Sequence, residues 1–183
     1  MTQKFFQYIF FKLLGWRQLG VIPRDIDKYI FVAVPHTSNW DFVYGWMAIK
    51  ALGLNVTILV KDVFFVWPIG YIARLFGVAP VNRRERTNFV DSVARQFEEN
   101  EKLAVLITPE GTRKFSPDIK SGYYYIAKKA NIPIVVAGPD FANKSFTVLP
   151  AREPMATFEE DAADLIRFSK TMTARRPENT FRD

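Results

Sequence analysis

Residues 29–41 read YIFVAVPHTSNWD, and this stretch decides the fold class. Tyr29–Val34 is an uninterrupted apolar run, which is typical of a strand buried on both faces of a parallel sheet. Thr37, Ser38 and Asn39 are all residue types that cap helix N-termini. A buried strand that leads directly into a helix predicts an α/β domain, whose functional groups gather at the carboxyl ends of the strands. His36 lies at that position.

The rest of the chain continues the alternation of strands and helices. No linker or repeat divides it, so we expect one domain with a mostly parallel central sheet flanked by helices. The predicted strands are Tyr29–Val34, Val56–Val60, Val78–Val81, Leu103–Ile107, Ile134–Ala137 and, at a sheet edge, Ser145–Leu149. The predicted helices are Trp40–Leu52, Val63–Phe76, Thr87–Asn100, Ser121–Ala130 and Phe158–Thr171, with Thr87 as an N-cap and Gly53 and Gly77 as C-terminal stops.

Composition excludes several kinds of chemistry. The 183 residues hold no cysteine, which rules out disulfides, thiolate nucleophiles and cysteine metal sites. A single histidine argues against catalytic zinc, which usually takes two or three histidines, and nothing visible requires a cofactor. The net charge of +6 favours anionic partners. Nucleic acid is disfavoured, because the lysines and arginines are dispersed and no recognised binding motif occurs.

The N-terminal segment, residues 1–20, is predicted to contain an amphipathic helix over Lys4–Leu14. At helical spacing one broad face collects the apolar residues Phe5, Phe6, Ile9, Phe10, Leu13 and Leu14. The segment is too short to cross a bilayer, which takes about 20 residues, and it lacks the small-residue cleavage site of a secretory signal. Two placements stay open: a helix in the membrane interface, or a helix docked on the core. Residues 174–183 are predicted to form a frayed polar tail.

His36 and Asp41 form the first candidate constellation. Asp41 falls in the first turn of the predicted helix, where the helix dipole favours an ionised carboxylate. If the loop bends His36 over that turn, Asp41 accepts a hydrogen bond from one ring nitrogen and leaves the other as a base. Such a base suits deprotonation of a hydroxyl near neutral pH. Taken alone, the pattern fits a surface histidine and a first-turn acid better.

Two further turns at strand ends carry charged residues. Thr108–Arg113 follows the strand Leu103–Ile107, where Gly111 permits a tight turn and Arg113 offers a planar fork to a phosphate. Arg83 follows the short strand Val78–Val81. Each turn alone is better explained as an ordinary solvated loop, but convergence of three such turns on one crevice favours a site.

In combination these motifs resemble the glycerolipid acyltransferase family, in particular compact bacterial members that are similar to 1-acylglycerol-3-phosphate acyltransferase. His36 to Asp41 matches the family's His-x4-Asp motif, and Thr108–Arg113 matches Phe-Pro-Glu-Gly-Thr-Arg with Thr for Phe. Lys61-Asp62 through Val81-Asn82-Arg83 resembles the second block, with Asn82 where Asp is common. Ile132-Pro133-Ile134 matches the fourth motif. The order and spacing agree over roughly residues 30–140, and residues 21–173 would form the acyltransferase domain.

The resemblance implies transfer of a fatty acyl group from acyl-CoA or acyl carrier protein to the hydroxyl of a lysophospholipid, with 1-acylglycerol-3-phosphate as the favoured acceptor in phospholipid biosynthesis. His36 would be the base and Asp41 its orienting partner. Backbone amides at the start of the helix after His36, together with Asn39, would hold the oxyanion. The residues expected to bind the acceptor headgroup are Asn39, Arg83, Glu110, Gly111, Thr112 and Arg113. The family also implies a peripheral or monotopic protein at the cytoplasmic face of the inner membrane, held there by the N-terminal helix.

Three alternatives stay open at this stage. The acceptor could instead be a lyso-ornithine or other amino-acid lipid, or glycerol 3-phosphate. A more distant possibility is a lauroyl-type lipid A acyltransferase, although those enzymes prefer Glu at the position of Asp41. The chain could also be a non-catalytic lipid-binding relative, but a binder has no need of the base that His36 would supply.

Overall fold

The computed structural model describes residues 2–61, 78–81 and 86–181. Its centre is a seven-stranded sheet with the strand order β1-β7-β6-β2-β5-β3-β4. The strands are β1 (Arg17–Gly20), β2 (Lys28–Ala33), β3 (Val56–Lys61), β4 (Val78–Val81), β5 (Leu103–Ile107), β6 (Ile134–Asp140) and β7 (Ser145–Val148). Every neighbouring pair is parallel except β6 with β7. The mostly parallel sheet predicted from the apolar runs is confirmed.

Helices cover both faces of the sheet. They are α1 (Gln3–Gln7), a π-helical turn (Tyr8–Leu13), α2 (Asn39–Leu52), α3 (Arg86–Glu99), α4 (Gly122–Ala130), α5 (Phe158–Lys170) and a 3-10 turn (Pro177–Asn179). Alternate residues of β2 serve the two faces: Ile30 and Val32 pack with α3, α4 and α5, whereas Tyr29 and Phe31 pack with α1 and α2. Burial on both faces explains why β2 is apolar from Tyr29 to Ala33.

Most predicted elements are confirmed to within a few residues, and the errors lie at the edges. The chain forms a strand at Arg17–Gly20 that was not predicted, and it pairs with β7, so Ser145–Val148 is not the edge strand that we expected. Gly53 ends α2 in the left-handed region with φ of 72°, as predicted. Helix α3 begins at Arg86, so Thr87 lies inside it and is not the N-cap. The predicted helix Val63–Phe76 and Gly77 lie outside the described residues.

The N-terminal helix docks on the domain. The Phe6 ring meets Trp46 of α2 at 5.1 Å, and Phe10, which is fully buried, stacks on Trp16 at 5.3 Å. The predicted single apolar face is wrong, because Tyr8–Leu13 is π-helical and therefore departs from the 3.6-residue spacing. Phe5 and Leu13, two members of the predicted face, are exposed, and so is Tyr8, which was not among them. No helix within the described ranges has the length and apolar character needed to span a membrane.

The C-terminal segment is packed, and the prediction of a frayed tail is wrong for residues 174–181. Ala174 and Thr180 are buried, and the Thr180 hydroxyl lies 3.2 Å from that of Ser169 in α5. The Arg175 guanidinium lies 5.8 Å from the centre of the Phe141 ring. The polar composition of the segment gave no sign of this packing, in which hydrogen bonds act together with the buried Ala174 and with Phe181, which packs against the core.

Candidate functional site

The loop between β2 and α2 carries the first site residues to the carboxyl end of the sheet. Helix α2 begins with a capping box: Ser38 Oγ accepts from the first-turn backbone, including Trp40 N–H at 3.1 Å, and Asp41 accepts from Ser38 N–H at 2.7 Å. This reciprocal arrangement fixes the start of the helix and with it the loop that precedes it. Asp41 is buried as a result, with its side chain 5% exposed.

His36 lies beside Asp41 but is not hydrogen-bonded to it. Nδ1 of the ring is 3.7 Å from Asp41 Oδ2, which is an electrostatic contact and not the hydrogen bond that the sequence predicted. Burial lowers the pKa of His36, the Asp41 charge opposes this effect, and the Arg113 charge lowers the pKa further. The imidazole is therefore held neutral below the ordinary histidine pKa. Since Nδ1 faces Asp41, Nε2 is the nitrogen left to act as a base.

The hydrogen bonds to the Asp41 carboxylate come from the loop between β2 and α2 and not from the His36 ring. Its Oδ2 accepts from the N–H groups of Thr37 and Ser38 and from the Thr37 hydroxyl at 3.3 Å, and its Oδ1 accepts from Ser38 Oγ at 3.2 Å. The amides of Thr37 and Ser38 are thus engaged by Asp41 and are not free to donate to an oxyanion. Asn39, the first residue of α2, lines the adjacent pocket.

Glu110 supports His36 from behind. Its carboxylate is 5% exposed and accepts from the backbone N–H of His36 at 2.7 Å, and it does not line the pocket. The predicted contact of Glu110 with an acceptor headgroup therefore does not fit this placement. Burial raises the pKa of Glu110 to about 7, the bond from His36 N–H opposes the rise, and the Asp41 charge adds to it. Glu110 ties the loop after β5 to the loop after β2.

The turn after β5 brings cations to the same edge of the sheet. Gly111 has a φ of 67°, a conformation that residues with a Cβ rarely adopt, and its N–H bonds Thr108 C=O at 3.1 Å. Thr112 and Arg113 line the pocket beyond it. The Lys120 side chain packs over Gly111 so closely that a Cβ there would lie 2.4 Å from Lys120 Nζ. The absence of a Cβ at Gly111 thus leaves room for the Lys120 side chain, which also lines the pocket.

These loops enclose a cavity of about 1210 Å³ beside His36. Its polar lining includes the cations Arg113 and Lys120 and the carboxylates Asp41 and Asp118. Its apolar lining includes Phe31, Phe42, Trp46, Ile49, Ile58, Leu106 and Phe146. A cavity lined by both cations and apolar side chains fits an amphiphilic ligand with an anionic head. Within the described ranges, no cluster of His, Cys, Asp and Glu could hold a metal ion.

The structure brings most of the predicted site residues together. His36, Asn39, Asp41, Gly111, Thr112 and Arg113 line one cavity, whereas Glu110 lies behind it and Arg83 falls outside the described residues. Sequence reasoning missed Lys120. A signal was present, because Lys120 lies just before Ser121 and α4, and a cation is electrostatically disfavoured at a helix N-terminus unless something else requires it.

Comparison with known families agrees with this geometry. Residues 19–138, about two thirds of the chain, match the family model described as Acyltransferase. The chain belongs to the acyltransferase family. The match spans β2, α2 and β5, so it contains both loops that build the site of this family member.

Curated relatives of this acyltransferase-family chain carry names that specify one reaction. It is 36% identical over 85 residues to human 1-acyl-sn-glycerol-3-phosphate acyltransferase beta, a match over 44% of this chain and 31% of that protein. It is 32% identical over 106 residues to the chloroplastic 1-acyl-sn-glycerol-3-phosphate acyltransferase BAT2 of Brassica napus, over 55% and 30% of the two chains. The matched stretches thus span about a third of the length of these relatives.

A solved structure shows the same fold. The 1-acyl-sn-glycerophosphate acyltransferase PlsC of Thermotoga maritima superposes with a TM-score of 0.57 and covers 91% of this chain and 76% of its own. At 16% identity this likeness concerns the fold alone. It confirms the single α/β domain of the acyltransferase family for this chain.

Proposed function

We propose that this chain transfers a fatty acyl group from a thioester to the hydroxyl of 1-acylglycerol-3-phosphate. The observation that carries the proposal is the position of His36, 3.7 Å from a buried carboxylate, on the wall of a cavity that is lined by both cations and apolar side chains. Membership in the acyltransferase family and the names of the relatives support the same reaction.

The proposed mechanism uses His36 as a general base. Nε2 takes the proton of the acceptor hydroxyl while the oxygen attacks the thioester carbonyl, forming a C–O bond and a tetrahedral intermediate. Collapse of that intermediate breaks the C–S bond, and the imidazolium returns its proton to the leaving thiolate as a thiol. The Asp41 carboxylate stabilises the transient imidazolium, and its four hydrogen bonds from Thr37 and Ser38 keep it in place.

The Asn39 side chain is the group that we assign to the developing oxyanion. It lies at the positive end of the helix dipole and lines the cavity beside His36. The N–H groups of Thr37 and Ser38 donate to Asp41, and that of Trp40 donates to Ser38 Oγ, so these amides are not assigned to the oxyanion.

The acceptor phosphate is assigned to Arg113 and Lys120. We expect Arg113→Ala to raise the KM for 1-acylglycerol-3-phosphate by about tenfold to a hundredfold, because a charge-assisted pair with phosphate is lost. The KM for the thioester should change little. Initial rates measured with each substrate varied in turn distinguish these effects.

The control is Lys114→Ala, which removes the neighbouring exposed cation that does not line the cavity. It should leave both KM values unchanged. Equal increases of both KM values in Arg113→Ala would show that Arg113 supports the loop and does not bind the phosphate.

The apolar wall is assigned to the acyl chain of the donor. Phe31, Ile49 and Leu106 come from β2, α2 and β5, so this wall is built on rigid elements. Both acyl-CoA and acyl carrier protein present such a chain on a thioester, and the test of the function uses both. No cofactor takes part in the proposed reaction, and nucleic acid is not among the proposed partners.

We further propose that the protein works at the cytoplasmic face of a membrane, where lysolipid acceptors reside. Phe5, Tyr8 and Leu13 are exposed on the docked N-terminal helix, next to the exposed Lys4 and Lys12. Apolar side chains beside lysines suit contact with anionic lipid headgroups. Phe6 and Phe10 are buried against the core and belong to the fold, not to the proposed lipid contact.

Substitution of the exposed residues should release the protein from vesicles. Tyr8→Glu combined with Leu13→Glu is expected to reduce co-flotation with anionic vesicles about tenfold or more, because two apolar contacts become two negative charges. Thr2→Glu, at the exposed residue that precedes α1 and whose side chain makes no capping hydrogen bond, serves as the control for added negative charge. Equal flotation of wild type and the Tyr8/Leu13 variant would contradict the proposed lipid contact.

The function is tested by mass-spectrometric detection of acyl transfer by the purified protein. The acceptors are 1-acylglycerol-3-phosphate, glycerol 3-phosphate, lyso-ornithine lipid and 1-acylglycerol without phosphate, each with acyl-CoA and with acyl carrier protein as the donor. Transfer to 1-acylglycerol-3-phosphate supports the proposal. Transfer only to the lyso-ornithine lipid would replace the acceptor, and no transfer by folded protein to any acceptor would favour a non-catalytic lipid binder.

A further inference from the structure

The C-terminal segment, residues 174–181, reaches both loops that build the site, and we call it the strap. Its Arg176 N–H donates to the Thr37 hydroxyl at 3.2 Å, and its Asn179 side chain donates to Thr37 C=O at 3.5 Å. The Phe181 ring contacts Phe115, beyond the Thr108–Arg113 turn, with centroids 6.0 Å apart. Segments more than a hundred residues apart in sequence therefore meet at the candidate site.

The strap is itself anchored to the domain. Phe141 N–H bonds Thr173 C=O at 2.9 Å just before the strap begins. At the other end the buried hydroxyls of Thr180 and Ser169 pair at 3.2 Å. Because both ends are fixed, the strap supplies a rigid surface against which the loop after β2 rests.

Thr37 is the residue through which the strap reaches Asp41. It is 1% exposed, and its hydroxyl accepts from Arg176 N–H while donating to Asp41 Oδ2 at 3.3 Å. A hydroxyl has one donor and two acceptor sites, so it can make both bonds at once. The chain of contacts runs from the strap through Thr37 to Asp41, and from Asp41 to His36 Nδ1.

We propose that the strap is a positioning element for the His36–Asp41 pair and that Thr37 and Asn179 are positioning residues. Neither residue needs to touch substrate for this role: the strap fixes the Thr37 hydroxyl, and the hydroxyl fixes the carboxylate that faces the imidazole. The inference rests on the proposed function, because it takes acyl transfer as the reaction for which the pair is positioned.

The first test compares Thr37→Val with Thr37→Ser. Valine keeps the shape but removes the hydroxyl, leaving Arg176 N–H without its acceptor and Asp41 with one donor fewer. We expect kcat to fall about tenfold in Thr37→Val with the acceptor KM changed by less than about twofold, whereas Thr37→Ser retains most of kcat. Thr37→Val with wild-type kcat, or Thr37→Ser as impaired as Thr37→Val, would overturn the role of the hydroxyl.

A second readout needs no substrate. His36 is the only histidine in the chain, so its imidazole gives a single, unambiguous NMR titration. The Asp41 charge raises the pKa of His36, so displacement of Asp41 in Thr37→Val should lower that pKa, while Thr37→Ser should match wild type. An unchanged titration in Thr37→Val would overturn the proposal even if kcat fell, because the loss would then arise elsewhere.

Asn179→Ala tests the strap directly and keeps the proposal falsifiable if Thr37→Val does not fold. It should lower kcat by about threefold and shift the His36 titration in the same direction. Glu178→Ala, on the same turn and exposed, should match wild type in both readouts. If wild type transfers no acyl group, the proposed function fails, but the NMR comparison still decides whether the strap positions the pair.

Discussion

Replacement of His36 by alanine should lower the rate of acyl transfer by about a hundredfold to ten-thousandfold, the range typical of a lost general base. It is the only histidine, so no second imidazole can take its place. The substitution should leave KM for the acceptor nearly unchanged, since Arg113 and Lys120 would still bind the phosphate. Release of thiol can be followed with a thiol reagent, because the protein has no cysteine of its own.

The pH dependence of the wild-type rate gives an independent check on His36. The base works only as neutral imidazole, and burial together with Arg113 lowers the pKa of His36, with Asp41 opposing. The rate should therefore fall on the acid side with a midpoint below the ordinary histidine value of about 6.5. His36→Gln, which keeps a polar side chain, serves as the control and should be as inactive as His36→Ala. A variant with half or more of the wild-type rate would contradict the proposed base.

Asp161→Asn should be the most destabilising single polar substitution in the described part of the chain. Asp161 is fully buried and accepts from Tyr123 OH at 2.9 Å, from Arg152 at 2.8 and 3.0 Å and from Met155 N–H at 3.0 Å. Removing its charge leaves the Arg152 guanidinium partly buried without its main partner. We expect the free energy of unfolding to fall by about 3–5 kcal/mol, measured by urea denaturation. The melting temperature should fall by roughly 10 °C.

Asp164→Asn is the matched control, since Asp164 also contacts Arg152, at 3.3 Å, but is more exposed. It should cost less than about 1 kcal/mol. Burial alone would raise the pKa of Asp161, but the bonds from Arg152, Met155 and Tyr123 outweigh it, so the pKa lies below its ordinary value.

This depressed pKa predicts how acid acts on the fold. The stabilisation from Asp161 is present above the unfolded-state pKa of about 3.9 and is lost as the pH falls through the lower folded-state pKa. Asp161→Asn should therefore show a shallower loss of stability in acid than wild type. Equal losses of stability in acid for wild type and Asp161→Asn would contradict this account.

The strands and the position of His36 could be predicted from the sequence because buried positions require apolar residue types. A strand buried on both faces is apolar at its buried positions, as β2 is from Tyr29 to Ala33, and the residue after such a strand must lie at the end of the sheet. The motif order then identified the second loop as a partner of the first. The edge strand β1 was missed because Arg17–Gly20 is short and largely exposed, so it has no apolar pattern.

Side-chain direction and long-range packing could not be predicted. Glu110 looks like a ligand for substrate in the sequence, but it points back to His36 N–H, and only the fold shows which side of the turn it occupies. The strap was missed for a similar reason. Arg176 donates to Thr37 through its backbone N–H, and since almost every residue type has a backbone N–H, the sequence does not predict this hydrogen bond. The single apolar face predicted for the N-terminal helix assumed 3.6-residue spacing, and this assumption fails where Tyr8–Leu13 is π-helical.

The central claim is that His36 removes the hydroxyl proton of 1-acylglycerol-3-phosphate during acyl transfer. The most direct test incubates wild type and His36→Ala, each shown to be folded, with a thioester whose acyl chain is isotopically labelled. The labelled product is then identified and quantified by mass spectrometry. The account predicts that wild type forms labelled diacylglycerol phosphate and that His36→Ala forms it at least a hundredfold more slowly. Equal labelling by the two proteins, or labelled product only from an acceptor without phosphate, would contradict it.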